Sequence, residues 1–216
     1  MKTPLQLPTD TWVTASWDDF LQVQADPAYE KAKLYYFEEQ ILIEMNAAVG
    51  PNHARDNAVI PLVISLFCIA KGLAQNSLVN CNFEKTGARG CQPDLAYYIG
   101  SNTANTPTGS SIVNLNSQAA PDLAIEIADT SVIDDLGKKR MLYESLNIPE
   151  YWVVDVKKAE VIIFAIADSG SRRLEASLVL PGLTVATLDA ALKKSRTSDQ
   201  TALGQWLMAQ FQQSFQ

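Results

Sequence analysis

Two acids, Asp122 and Glu126, lie in the apolar run 121–127, and a lysine, Lys139, follows on a stretch with helical spacing. Side chains alternate faces along a strand, so Asp122, Ala124 and Glu126 look one way and Leu123, Ile125 and Ile127 the other. Unpaired carboxylates are costly to bury; that face must be solvated or must meet a cation. Asp94 stands in the same relation to its own strand, with Ala96 and Tyr98 on its face and Leu95, Tyr97 and Ile99 opposite. Leu136, Lys139, Tyr143 and Leu146 form one helical stripe, which puts Lys139 on the face that should pack on the sheet. Either Lys139 snorkels past the sheet edge or it points over the sheet toward Glu126. Carboxylates with a lysine suit metal-assisted phosphodiester hydrolysis. Oxygen ligands suit Mg2+ or Mn2+, such an ion polarises phosphate and helps make hydroxide, and a lysine orients the water or offsets transition-state charge. Acids at strand ends are common, so the spacing alone has low specificity. A carboxylate-pair hydrolase acting on sugars is a further reading; it would need the acids about 5–10 Å apart with no metal between them.

The elements that must position these groups follow from periodicity and punctuation. Ser16 caps a short amphipathic helix with Asp18 and Asp19 in its first turn, ending near Asp26-Pro27. Residues 33–45 read as two strands around the glycine-free turn 37–41. Gly50-Pro51-Asn52 reads as a loop, followed by a long helix over roughly 53–74, in which Pro61 should kink the helix or delay its start and Gly72 marks the end. Residues 78–99 read as a hairpin around 85–88, and 100–120 as a long aperiodic loop. A strand at 122–128, a helix at 134–146 and two strands around 156–159 come next. A turn at 168–171, a strand over 172–180 and a final amphipathic helix over about 199–214, capped by Ser198, complete the chain; residues 1–11 are polar and expected to pack poorly. The tetrapeptide Pro-Asp-Leu-Ala occurs at 93–96 and again at 121–124, too short for a repeat but enough to show two strands each opening on Pro-Asp.

At 216 residues a single domain over 1–216 is the simplest expectation. A 47% apolar composition allows a real core. A net charge of −7 argues against a non-specific nucleic-acid coat, but not against a nuclease whose metal ions supply local positive charge. Three cysteines, Cys68, Cys81 and Cys91, point to reduced thiols and, with no basic-then-apolar leader pattern, to a cytoplasmic protein. The longest apolar run, 59–70, is shorter than the about 20 residues of a bilayer span and reads as a core helix with no membrane role.

From about Tyr35 to Leu183 the chain resembles the Uma-type (Uma-two) family of bacterial restriction-endonuclease-like proteins, within the PD-(D/E)xK nuclease superfamily. The resemblance rests on Cys91-Gln-Pro-Asp94, Pro121-Asp122-Leu-Ala-Ile-Glu126, Asp134-Asp-Leu-Gly-Lys-Lys139, Ile148-Pro-Glu-Tyr-Trp-Val-Val-Asp155 and Leu180-Pro-Gly-Leu183, in that order. It implies an α/β restriction-endonuclease-like core (helix, β-meander, helix, strand) over 35–183, with N-terminal helix and strands and a C-terminal helix added. It implies a metal-dependent endonuclease cutting DNA. Asp94 would be the first acid, Glu126 the second, and Lys139 a lysine moved to the helix, since the usual lysine position two residues after the second acid holds Ala128. Asp94, Glu126 and an N-terminal acid, for which Glu44 is the candidate, would hold Mg2+ or Mn2+. The family's Tyr-Glu near the start is replaced by Tyr35-Tyr36. His53, the only histidine, is either a cap or packing residue or part of the site, and Asp122 either supports the acids or simply opens its strand. A homodimer would let two subunits cut two strands. The rival reading is a nuclease-fold binding or regulatory protein that has lost catalysis, favoured by the acidic net charge and the alanine at 128.

Overall fold

Alternation along two neighbouring strands decides which side of the central sheet carries chemistry. Leu95, Tyr97, Ile99, Leu123, Ile125 and Ile127 all enter one apolar cluster, while Ala96, Ala124 and Ala128 enter another on the opposite face. The first face needs bulk to fill the space under helices. The second is lined with alanines, and the small side chains let a second layer approach closely.

The computed structural model describes residues 6–45 and 50–213. Its elements are β1 (Trp12–Thr14), α1 (Trp17–Gln24), β2 (Lys33–Phe37), β3 (Gln40–Glu44), α2 (Pro51–Lys71), β4 (Gln75–Val79), β5 (Phe83–Lys85), β6 (Arg89–Cys91) and β7 (Leu95–Ile99). They continue with β8 (Val113–Asn114), β9 (Leu123–Ala128), α3 (Val132–Leu136), α4 (Lys138–Ser145), β10 (Glu150–Asp155), β11 (Glu160–Ala167), β12 (Gly170–Leu174), α5 (Val185–Ser195) and α6 (Gln200–Gln213). One six-stranded sheet runs β12-β11-β10-β9-β7-β4; only its β9–β10 pair is parallel. The other runs β1-β3-β2-β6-β5-β8. The expected order of helix, antiparallel meander, helix and parallel strand is therefore present as α2, β4–β7–β9, α3–α4 and β10. The class is mixed α/β.

Helices α2, α5 and α6 cover the bulky face of the central sheet through Val59, Ile60, Val63, Ile64, Phe67, Leu188, Leu192, Leu203, Leu207 and Phe211. Helix α2 is long and apolar enough, by length and composition, to cross a bilayer; its Val59, Ile60, Val63, Ile64 and Phe67 side packs on the sheet. A bidentate ion pair from Arg196, just past α5, to the fully buried Asp56 of α2, at 2.6 and 2.7 Å, ties this layer together. On the alanine-lined face, α4 brings Leu142 and Tyr143, and the second sheet brings Tyr35, Phe37, Leu42 and Phe83.

Several boundaries differ from the sequence reading, for local reasons. Gly50 is the cap of α2 and Pro51 its first residue, a position where the missing N–H costs nothing; Pro61 is carried inside a continuous helix, and Gly72 ends it at φ 63°. The turn of the first hairpin does without glycine because Glu38 and Glu39 themselves take φ of 49° and 55°. The expected single hairpin at 78–99 is split between sheets: β5–β6 turn around 86–88 in one, while β4 and β7 pair in the other. The loop 100–120 contains a short 3-10 turn at Gly100–Asn105 and the strand β8. The strand expected over 172–180 stops at Leu174. Strand β1 and helix α5 were not anticipated; α5 carries a clear start signal, Thr184 accepting from the Thr187 amide. Asp199, not Ser198, caps α6, accepting from the Ala202 amide. Residues 1–5 of the expected loose N-terminus, and the expected helix end at 214, lie outside the described residues.

The helix expected over 134–146 is broken into α3 and α4 at Gly137 (φ −102°, ψ −108°). A Cβ built there would lie 2.8 Å from the Ile133 carbonyl oxygen. The break therefore needs glycine, and it sets the angle at which α4 presents Lys139.

Candidate active site

Asp94 sits immediately before β7 and Glu126 lies within β9, and both project from the alanine-lined face. The second sheet stacks over this face. In β2, alternation puts Lys33, Tyr35 and Phe37 on one side and Leu34 and Tyr36 on the other, which packs on α1. Glu44, cross-strand from Lys33 on β3, joins the same side.

Each acid is held by one oxygen and offers the other. Asp94 Oδ2 accepts the Ile127 backbone N–H at 2.8 Å. Glu126 Oε1 accepts two phenols, Tyr35 at 3.0 Å and Tyr143 at 2.7 Å. The remaining oxygens face one ammonium: Lys33 Nζ is 2.6 Å from Asp94 Oδ1 and 4.0 Å from Glu126 Oε2. Burial pushes Glu126 up to about 8, with Lys139 and Lys33 pulling it down and Asp94 and Asp135 pushing it up. Burial alone would lower Lys33, but Glu126 and Asp94 outweigh it and raise the ammonium above its ordinary range.

Lys139 does turn inward. Its side chain is 1% exposed, with Nζ 2.7 Å from Glu44 and 2.9 Å from Asp135, the latter a charge contact without hydrogen-bond alignment. It also lies 4.1 Å from the centre of the Tyr35 ring. Burial opposes its charge, but Glu126, Asp135 and Glu44 together raise its pKa. Lys139 is thus an internal cation of the site, reaching Glu126 through the field and not through contact. Glu44, raised by burial, is spoken for by Lys139. Among the described residues no three His, Cys, Asp or Glu side chains form a group that could hold a metal ion, so Glu44 does not complete a three-acid cluster with Asp94 and Glu126.

The other candidates fall at the edges. Asp122 accepts the Ile99 N–H at 2.7 Å and the Asn102 amide at 3.0 Å, which secures the chain leaving β7. His53, in the first turn of α2, lines the cleft above the acids. That cleft, about 850 Å3, is bounded by Lys33, Glu44, His53, Asn57, Asp94, Glu126 and Lys139, with Asp10, Asp129 and Asp134 among its outer residues. Sequence reasoning missed Lys33, Tyr35, Tyr143's bond to Glu126 and Asp135. A signal existed for the first two: in Lys33-Leu-Tyr35-Tyr-Phe37, period-two alternation sets a lysine and a tyrosine on the face of a strand that must be buried.

The donor set suits an oxygen-ligated divalent cation. Two carboxylates from neighbouring strands, each pinned by one oxygen, aim their second oxygens at a common positive charge, the Lys33 ammonium. Mg2+ commonly binds through one or two carboxylates and keeps several waters, and the open cleft leaves room for them.

Comparison with known proteins bears on the family and the fold. No curated protein matches the chain. Among solved structures, it is similar to "a putative nuclease belonging to DUF820" from Anabaena variabilis, with a TM-score of 0.55 and 17% identity, covering 82% of this chain and 98% of the other; at that identity the likeness is one of fold. The family model Uma2, described as "Putative restriction endonuclease", matches residues 17–198. The chain therefore belongs to the Uma2 family of restriction-endonuclease-like proteins.

Proposed function

We propose that the protein is a metal-dependent nuclease that hydrolyses phosphodiester bonds of DNA in the cleft between α2 and the Asp94–Glu126 pair. The observation that carries this reading is the convergence of Asp94 Oδ1 and Glu126 Oε2 on one cation, between acids whose other oxygens are fixed by Ile127, Tyr35 and Tyr143. Asp94 and Glu126 would hold Mg2+ or Mn2+, which when bound supplies Lewis acidity toward phosphate and a more acidic water. Tyr35 and Tyr143 keep the Glu126 carboxyl in one orientation. Lys139, locked by Glu44 and Asp135, contributes positive potential at Glu126 without leaving the interior. His53 stands at the cleft wall, placed to meet a phosphate or a leaving group.

Electrostatics make the metal necessary on this reading. The cleft is lined by Asp10, Glu44, Asp94, Glu126, Asp129 and Asp134 against Lys33 and Lys139. A polyanion would be repelled by that wall unless divalent cations offset it. The same imbalance favours a second reading, a nuclease-fold binding protein without catalysis.

Supercoiled plasmid and single-stranded DNA incubated with Mn2+ decide between them. Nicking by the wild type that is lost in Asp94→Asn and weakened in Lys139→Met, with melting temperatures showing both variants folded, is the expected result. Cleavage that survives Asp94→Asn removes the assignment, and absence of cleavage in the wild type favours the second reading.

A further inference from the structure

We propose that the Lys33 ammonium is the resident counterion of the Asp94–Glu126 pair, and that a divalent cation reaches the pair only by displacing it. This rests on the metal-binding reading above and adds a residue that competes with the metal.

The geometry is that of an ammonium hydrogen-bonded to Asp94 with Glu126 at the outer range of an ion pair. Both acids turn their unpinned oxygens to the same Nζ, at 2.6 and 4.0 Å. An ammonium at that point and a divalent ion bound to the same oxygens would repel each other at close range, so one excludes the other. Two lysines bear on Glu126, and they differ in freedom. Lys139 is 1% exposed and gripped by Glu44 and Asp135. Lys33 opens β2, its side chain is 15% exposed, and it borders the cleft. Its flexible stem can therefore carry the charge out into the cleft without breaking the sheet or the Tyr35 and Tyr143 bonds to Glu126. The resident lysine offsets the cost of burying the Asp94 carboxylate beside Glu126 in the metal-free protein. It also sets a threshold for metal, because every ion bound must first break the Lys33–Asp94 hydrogen bond.

The test is calorimetric titration of Mn2+ at neutral pH into wild type, Lys33→Met and Asp94→Asn, each checked for folding by circular dichroism. Methionine keeps the length and removes the charge. Lys33→Met should bind Mn2+ about tenfold to a hundredfold more tightly than wild type, the range that one charge-assisted hydrogen bond commands, and Asp94→Asn should abolish the site. Equal or weaker binding by Lys33→Met, with loss in Asp94→Asn, overturns the competition while leaving the metal reading intact. Absence of Mn2+ uptake by both wild type and Lys33→Met overturns both. A measurement on the wild type alone covers a variant that does not fold: the rate of acetylation at Lys33, followed by mass spectrometry, should rise several-fold when Mg2+ is added. An unchanged rate overturns the displacement.

Discussion

Glu126→Gln should make the protein's stability less sensitive to pH, and by a measurable amount. Glu126 is 2% exposed, and burial, the largest influence on it, moves its carboxyl from 4.5 to about 8. Between those values the folded chain holds a proton that the unfolded chain has already released. Each rise in pH then favours unfolding, and the loss levels off above about pH 8, where both states are ionised. At about 1.4 kcal/mol per pH unit, the wild type should lose on the order of 2–5 kcal/mol across the window. Glutamine keeps the shape, and its carbonyl oxygen can still accept the Tyr35 and Tyr143 hydroxyls that now meet Oε1. Lys33, Lys139, Tyr35 and Tyr143 are shifted upward from values of 10 or more, so they keep their protons throughout and add no slope. Urea unfolding of both proteins in EDTA, from about pH 5 to about pH 9, measures the difference. The variant should gain on the wild type steadily up to about pH 8. A difference that stays constant across that range would refute the claim that Glu126 is held protonated by burial.

Arg196→Ala leaves Asp56 as an uncompensated charge under α2, and should cost about 3–5 kcal/mol in urea unfolding at neutral pH; restoring the loss with Asp56→Ala in the same chain would locate it in the pair. Gly137→Ala drives a Cβ to 2.8 Å from the Ile133 carbonyl and should lower stability by about 1–3 kcal/mol; on the nuclease reading proposed above, cleavage should fall further than stability because α4 would present Lys139 at a changed angle. Ser16→Ala removes the Oγ that accepts the Asp19 N–H and leaves the backbone N–H of position 16 donating to Asp19 Oδ2; it should cost about 1 kcal/mol and leave metal binding untouched.

What could be read from the sequence was whatever depends on neighbours along the chain. The faces of 94–98 and 122–127 follow from alternation alone, and they place Asp94 and Glu126 with Ala96 and Ala124 as found. The helical stripe carrying Lys139 also follows, although Gly137, three positions after Asp134, breaks the helix that carries it. Helix α5 was passed over despite its Thr184 cap and the Leu188–Leu192 spacing. These misses were available locally.

The electrostatic state of the site was not available locally, and that is the part that bears on function. Lys33 meets Asp94 across 61 residues of chain, and Tyr35 meets Glu126 across 91. Both contacts exist because one sheet is laid face-on over another, and no periodicity in either strand specifies that stacking. A carboxylate pair on an alanine-lined face reads, in sequence, as a vacancy awaiting a metal. In the folded chain the same pair is met by Lys33 at one oxygen of each acid and by backbone or phenol at the other. The acids alone therefore establish that a cation belongs here. Which cation occupies the site depends on whether a divalent ion, with its extra charge and its waters, gains more from two carboxylates than Lys33 loses by leaving Asp94, and that balance is set by a residue on a strand far from either acid in sequence.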